Sequence, residues 1–248
     1  MKKTNSAVIL AAGMGIRLKK TMTGKPKGFL ELGNQPIIQR SIQQLMSMGI
    51  ERTIIVTGYQ AAYYDALAER YACVHTVSND SYATSGSMYS LYCARALIED
   101  TFLLLESDLI YETGALNRLL KCPQPNAILL SGRTNSGDEV YVATKDNRIC
   151  RMSKQRTDLD EVTGELVGIS RVSPAMFGAM LEYAESVFRD SLQLDYEDCI
   201  NGIAADTEVF FCKVDDLLWA EIDDETHLLR AQQDILPRIL RKERSDQS

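Results

Sequence analysis

The chain has 248 residues, of which 45% are hydrophobic and 25% charged, and it carries a formal net charge of −7. That composition is ordinary for a globular protein, and the acidic balance argues against a nucleic-acid binder. No apolar run is long enough to span a bilayer, so no membrane span is expected, and any anionic ligand needs locally placed cations.

The opening Met1-Lys2-Lys3-Thr4-Asn5-Ser6 is basic. The apolar run after it, Ala7-Val8-Ile9-Leu10, is too short for a secretion signal and reads as a buried parallel strand. Ala11-Ala12-Gly13-Met14-Gly15-Ile16-Arg17-Leu18 follows at once, with Pro26-Lys27 shortly after. Glycines there let the backbone turn tightly and approach a ligand. Backbone N–H groups in such a turn suit an anion, and Arg17 and Lys27 add positive charge. The turn lacks the Gly-Lys-Ser/Thr of a Walker A loop, and the third glycine of a dinucleotide fingerprint falls at Leu18. A nucleoside triphosphate site remains the better reading.

Alternating elements follow. Residues 36–48 have helical apolar spacing, closed by Gly49. Residues 53–57 read as a strand, 60–71 as a helix and 73–77 as a short strand. A helix over 87–98 is expected to be capped near Ser85. Residues 101–105 form an apolar strand, 113–121 a helix and 127–130 a strand. This order predicts an α/β, Rossmann-like, mostly parallel sheet with helices on both faces. Ligands of such sheets bind beyond the carboxyl ends of the strands, where the Gly13–Arg17 turn and Asp108 both fall. After residue 132, 139–144 and 148–152 flank Lys145-Asp146-Asn147 and read as a small β-hairpin insertion. Lys154 to Glu165 reads as a mobile polar loop. Strand, helix, helix and strand follow to Val214, then 217–222, then a terminal helix over about 224–240. Residues 241–248 read as a charged, frayed tail, equally compatible with a linker into a further domain after Ser248.

Six scattered cysteines, none in a Cys-x-x-Cys pair, favour reduced thiols and a cytoplasmic protein. Asp108 ends the run Leu103-Leu104-Leu105-Glu106-Ser107-Asp108, well placed to hold a metal or to cap a turn. Glu221 and Asp223 of Trp219-Ala220-Glu221-Ile222-Asp223 share a strand face by period two. Asp224 and Glu225 suit a helix start. Two carboxylates meeting at a triphosphate suggest Mg²⁺.

The pattern Leu10 to Leu18 with Pro26-Lys27 resembles the signature of nucleotidyltransferases that activate sugar phosphates and small phosphorylated alcohols, of the MobA-like, GT-A-like type. The resemblance extends over residues 5–240, and residues 1–240 are read as one domain with a nucleotide-binding half (1–132) and an acceptor-binding half (133–223). It implies that Leu10, Ala11, Ala12, Gly13 and Gly15 bind nucleotide. It also implies that Asp108 and Asp223 hold the catalytic metal, as in the cytidylyltransferase branch, although Glu106-Ser107-Asp108 departs from the more familiar Asp-x-Asp. The reaction implied is attack of a phosphate or phosphonate oxygen on an α-phosphorus, with pyrophosphate leaving. Such a nucleophile needs no general base, which fits a chain with two histidines. Lys27 is assigned to the α-phosphate and the acceptor's phosphoryl oxygens, and Arg17 to the β- and γ-phosphates.

Ser81 to Leu91 looks like the base-reading loop of phosphocholine- and aminoethylphosphonate-type cytidylyltransferases. That points to CTP, with Ser85, Gly86 and Ser87 at the base; a simple helix N-terminus is the plainer reading. Asp195, Tyr196, Glu197 and Asp198 suggest a cation pocket for the acceptor or, equally, a helix start with dipole-favoured carboxylates. Three carboxylates in four residues favour a primary amine over a quaternary one, which wants an aromatic cage. The resemblance thus leads to 2-aminoethylphosphonate, with phosphocholine next. A sugar 1-phosphate acceptor, or a silent nucleotide-binding regulator on the same fold, remains open. A homodimer is compatible with the chain.

Overall fold

The computed structural model describes residues 4–18 and 24–245. Strand β1 (Ser6–Ala11) leads through a tight turn and a small hairpin, β2 (Glu31–Leu32) and β3 (Gln35–Pro36), into helix α1 (Ile37–Ser47). Next come β4 (Arg52–Thr57), α2 (Ala62–Arg70), β5 (Val74–Ser78), α3 (Ser87–Cys93), β6 (Phe102–Glu106), β7 (Leu109–Tyr111) and α4 (Gly114–Lys121). The second half holds β8 (Ala127–Ser131), β9 (Tyr141–Lys145), β10 (Arg148–Ser153), β11 (Gly164–Val172), α5 (Pro174–Val187), α6 (Tyr196–Ile203), β12 (Phe211–Val214) and β13 (Trp219–Glu221). Helix α7 (Glu225–Arg230), one π turn and α8 (Leu236–Ser245) close the described residues.

The strand order in the main sheet is β10-β9-β11-β6-β1-β4-β5, with β8 and then β12 branching from β11. The run β6-β1-β4-β5 is parallel, as the alternation of strands and helices predicts. Strand alternation divides β1 between two cores. Ala7, Ile9 and Ala11 pack with Ile38 and Ile42 of α1, Leu67 of α2 and Leu116 of α4. Val8 and Leu10 pack with Met88 and Leu91 of α3, Met180 of α5 and Ile200 of α6. Helices therefore cover both faces, and the parallel strands can be apolar throughout.

Beyond β6 the sheet turns antiparallel, because β11 pairs antiparallel with β6, β8 and β9. The polar stretch expected as a loop to Glu165 stops short of that residue: Gly164 and Glu165 already belong to buried β11. Glu165 tolerates burial because Thr134 donates to its Oε2 from both N (2.8 Å) and Oγ1 (2.7 Å). The hairpin appears as expected, as β9 and β10 with a bulge between Ile149 and Arg151.

The terminal helix runs further than its sequence suggests. Glu243 accepts from Thr113 N and Oγ1 at 3.1 and 2.8 Å and pairs with Arg40 at 2.9 Å, and Lys242 pairs with Glu112 at 2.8 Å. Residues 241–245 are thus docked helix rather than frayed tail, because their charges find buried partners; 246–248 lie outside the described residues. Ile235, Leu236 and Ile239 pack on Ile110, Ala220 and Ile222. This satellite core seats the antiparallel β13–β7 pair, and so the position of Asp223. No helix among the described residues is long and apolar enough to cross a membrane, and all six cysteines are free.

Candidate active site

A cleft of about 450 Å³ opens at the carboxyl ends of β1 and β6. Leu10, Ala12, Gly13, Gly15, Arg17 and Lys27 line one side, and Ser85, Gly86 and Ser87 another. Asp108, Asp195, Tyr196, Glu197 and Asp223 complete it. Two predicted residues are not brought in. Ala11 is buried at the end of β1, and Asp198 is exposed on α6, away from the cleft lining. Gly15 sits at φ +55°, a left-handed conformation that suits glycine, and its carbonyl accepts from Leu18 N at 3.0 Å.

The centre of the cleft is a charge chain. Lys27 Nζ donates to Asp108 Oδ2 and to Asp223 Oδ1, the latter at 2.5 Å. Arg17 reaches the same Asp223 Oδ1 at 3.0 Å and Asp138 Oδ2 at 2.9 Å. Burial alone would lower the Lys27 ammonium, but Asp108 and Asp223 outweigh it and hold its pKa above the usual lysine value. Burial likewise opposes the Asp223 carboxylate, and Lys27 and Arg17 reverse this, keeping it well below the usual range. The β13 strand end and α7 fix Asp223: its N–H donates to His227 Nδ1 at 3.4 Å, and Asp224 caps α7 by accepting from His227 N at 2.9 Å.

Behind Asp108 lie two carboxylates to which the sequence assigned no firm role. Glu106, Asp108 and Glu221 each present a carboxylate oxygen within 4.8 Å of the other two. Burial, reinforced by neighbouring carboxylates, raises Glu106 to about 8 and Glu221 to about 11. An all-oxygen set of crowded carboxylates is donor chemistry that suits a hard divalent cation such as Mg²⁺; of the expected pair, Asp108 belongs to this set, whereas Asp223 meets Asp108 through Lys27.

A smaller cavity of about 60 Å³ adjoins the cleft and shares Glu106, Lys154, Glu197 and Asp223 with it. Trp219 and Glu221 form part of its wall. Glu197 Oε2 is buried there without a hydrogen-bond partner among the described residues, and burial pushes this carboxyl up to about 7. Tyr196 spends its phenol on Glu106, donating to Oε1 at 2.5 Å.

The start of α3 differs from expectation. Its N-cap is Gly86, whereas Ser85 Oγ accepts from Asn79 Nδ2 at 3.0 Å. The capping oxygen is supplied by Asp195, whose Oδ1 accepts from Ser87 N and Ser87 Oγ, both at 3.0 Å. No pattern local to residues 85–87 could have found a cap that lies 108 positions away.

A match to the MobA-like NTP transferase domain spans residues 7–197. The chain belongs to that family. Among relatives of this MobA-like transferase, a 2-aminoethylphosphonate cytidylyltransferase of Lancefieldella rimae is 28% identical over 234 residues, 92% of this chain and 91% of that protein. A choline-phosphate cytidylyltransferase of Streptococcus pneumoniae is 32% identical over 115 residues, 46% of this chain and 50% of its own. Among solved structures, the inositol-1-phosphate CTP transferase from T. maritima superposes with a TM-score of 0.82 at 19% identity, over 96% of each chain. The CTP:phosphocholine cytidylyltransferase from S. pneumoniae superposes with a TM-score of 0.77 at 20% identity, over 92% of this chain and 97% of the other. Those two likenesses establish the shared α/β fold. By its family match and its sequence relatives the chain is a nucleotidyltransferase. The motif signal at Leu10–Leu18 was enough to place it in this family, whereas Glu106, Asp138 and Glu221 gain their place beside the motif only through folding.

Proposed function

We propose that this MobA-like nucleotidyltransferase moves CMP from CTP to a small amino-phosphonate, 2-aminoethylphosphonate, and releases pyrophosphate. The observation that carries the reading is the pairing of two features in one cleft. Lys27 lies between Asp108 and Asp223, and Glu197 Oε2, without a partner among the described residues, lies in the adjoining cavity. The first suits two phosphoryl groups that must meet. The second suits a primary ammonium, which offers hydrogen-bond donors to a carboxylate. The relative that is alike over nine-tenths of both chains bears that substrate in its name.

A phosphonate oxygen of the acceptor attacks the α-phosphorus, the α–β bridging P–O bond breaks, and pyrophosphate leaves with the electron pair. The acceptor is already anionic, so no base is required. Lys27 neutralises the α-phosphate and the incoming oxyanion, where repulsion is greatest. Arg17 and the backbone of Gly13–Gly15 hold the β- and γ-phosphates. Ser85, Gly86 and Ser87 border the base. Asp108 and Asp223, with Glu106 and Glu221 behind them, would hold Mg²⁺, which when bound supplies charge neutralisation at the transferred phosphoryl group. Glu197 orients the amine, which places the phosphonate within reach of Lys27.

Trp219 beside Glu197 favours a second reading, phosphocholine as acceptor, because an aromatic face attracts a quaternary ammonium. Pyrophosphate release with CTP and Mg²⁺ separates the two. A kcat/KM at least tenfold higher for 2-aminoethylphosphonate than for phosphocholine supports the primary-amine reading. The reverse order transfers the assignment to choline, and no release with either overturns both.

A further inference from the structure

The sequence pattern places Asp195 with the acceptor pocket, but one oxygen of its carboxylate is committed elsewhere. Oδ1 accepts two hydrogen bonds from Ser87, through N and Oγ at 3.0 Å each. Ser87 Oγ in turn accepts from Tyr196 N at 2.9 Å. Two backbone bonds flank this exchange: Gly86 N donates to Leu192 O at 2.9 Å, and Met88 N to Leu194 O at 3.0 Å. The approach is so close that a Cβ on Gly86 would lie 2.2 Å from Leu194 O. Residues 192–196 and 86–88 are therefore joined by a continuous hydrogen-bonded seam, although they come from opposite halves of the chain.

The seam has consequences at both ends. On one side, Gly86 and Ser87 line the cleft beside the β1 turn. On the other, Tyr196 carries its phenol to Glu106, in the carboxylate cluster. We propose that Asp195 is a positioning residue for the nucleotide side of the cleft: it caps α3 and sets Gly86 and Ser87 at the base, rather than binding the acceptor's amine. This rests on the nucleotidyl-transfer reading given above. The distinction between the two roles is chemical. A cap needs an acceptor oxygen, and Asn serves as well as Asp. An ammonium subsite needs the negative charge.

The test uses the full chain with three variants. CTP is titrated in the presence of Mg²⁺ without acceptor, and KM values for CTP and for 2-aminoethylphosphonate are measured. Asp195→Ala is expected to weaken CTP binding about fivefold, the usual worth of an N-cap, with the acceptor KM unchanged. Asp195→Asn, which keeps the oxygen and drops the charge, is expected to restore CTP binding. The proposal is overturned if Asp195→Asn and Asp195→Ala raise the acceptor KM alike while CTP affinity stays at the parent value. A double-mutant cycle of Ser87→Ala and Asp195→Ala in urea reads the seam without any substrate. Non-additive losses read the Ser87 Oγ–Asp195 contact, and a stability loss in Asp195→Ala that Asp195→Asn recovers reads the cap on Ser87 N; no stability loss in Asp195→Ala overturns the proposal. If the parent protein binds no CTP, the functional reading fails, and the urea cycle still decides whether Asp195 holds α3.

Discussion

Lys27 Nζ lies 2.5 Å from Asp223 Oδ1, although 196 positions separate them in the chain. The contact joins the end of the first motif to the residues just past the last strand, and Asp108 completes it from the turn between β6 and β7. In the absence of substrate the lysine neutralises two carboxylates. With a triphosphate present, the same ammonium faces the reacting phosphoryl groups. Lys27→Ala is expected to lower kcat for pyrophosphate release by about 10²–10³, the usual effect of removing one donor aimed at developing charge. Near-normal turnover in that variant would remove Lys27 from the chemistry.

Chelation is expected to abolish turnover, and added Mg²⁺ to restore it. Glu221→Gln keeps the shape of the cluster Glu106, Asp108 and Glu221 but removes the carboxyl group that, on losing its proton, would offer a cation an anionic oxygen. The Mg²⁺ concentration for half-maximal rate should rise about tenfold or more. Calorimetric titration of Mg²⁺ into the substrate-free protein should weaken in parallel. An unchanged metal requirement would take Glu221 out of the cation's carboxylates.

The buried carboxyl of Glu197 predicts a pH dependence of stability. Burial, with the Asp195 charge adding to it, pushes this carboxyl from 4.5 up to about 7. The folded state holds the proton more tightly than the unfolded chain, so this contribution is full below about pH 4.5 and is lost as pH rises towards 7. Glu197→Gln should flatten that part of the stability profile and stabilise the substrate-free protein at pH 8 by up to about 3 kcal/mol. The same variant should raise the KM for the amino-phosphonate and leave the KM for CTP in place. Urea midpoints from pH 5 to pH 8 decide the first point, and initial rates the second.

Gly86→Ala should be severe for a steric reason. The new Cβ would stand 2.2 Å from Leu194 O, and neither backbone segment can yield without breaking the seam. A loss of about 2–4 kcal/mol in urea stability is expected, together with weaker CTP binding. Gly13→Ala is the control for the stability loss, because a Cβ there meets no protein atom within 4 Å.

Much of the first half was legible because its signals are local. Ala7 to Leu10 is apolar on both faces, and the spacing of Ile38, Ile42 and Leu45 is helical. The turn at Gly13–Arg17 carries its own pattern. These features identify a βα nucleotide site without reference to any distant residue. The second half was harder to read. Glu165 looks like loop until Thr134 satisfies it. Arg171, a charged side chain, is 2% exposed and donates to the carbonyls of Leu119, Leu120 and Cys122 at the C-terminal end of α4. Polar residues of this kind are buried only when a distant partner pays for it, and periodicity has no access to such partners.

The sequence by itself determined the family, the parallel core around β1, and the cations and carboxylates of the centre, because each lies in a short motif or a strand with its own periodicity. Tertiary structure alone decided which carboxylates crowd Asp108, that Asp195 caps a helix 108 residues away, and that Asp198 stays outside the cleft. The physical reason is that hydrogen bonds and desolvation act between groups that folding brings within a few ångströms. Sequence spacing specifies that distance only inside one helix, strand or turn.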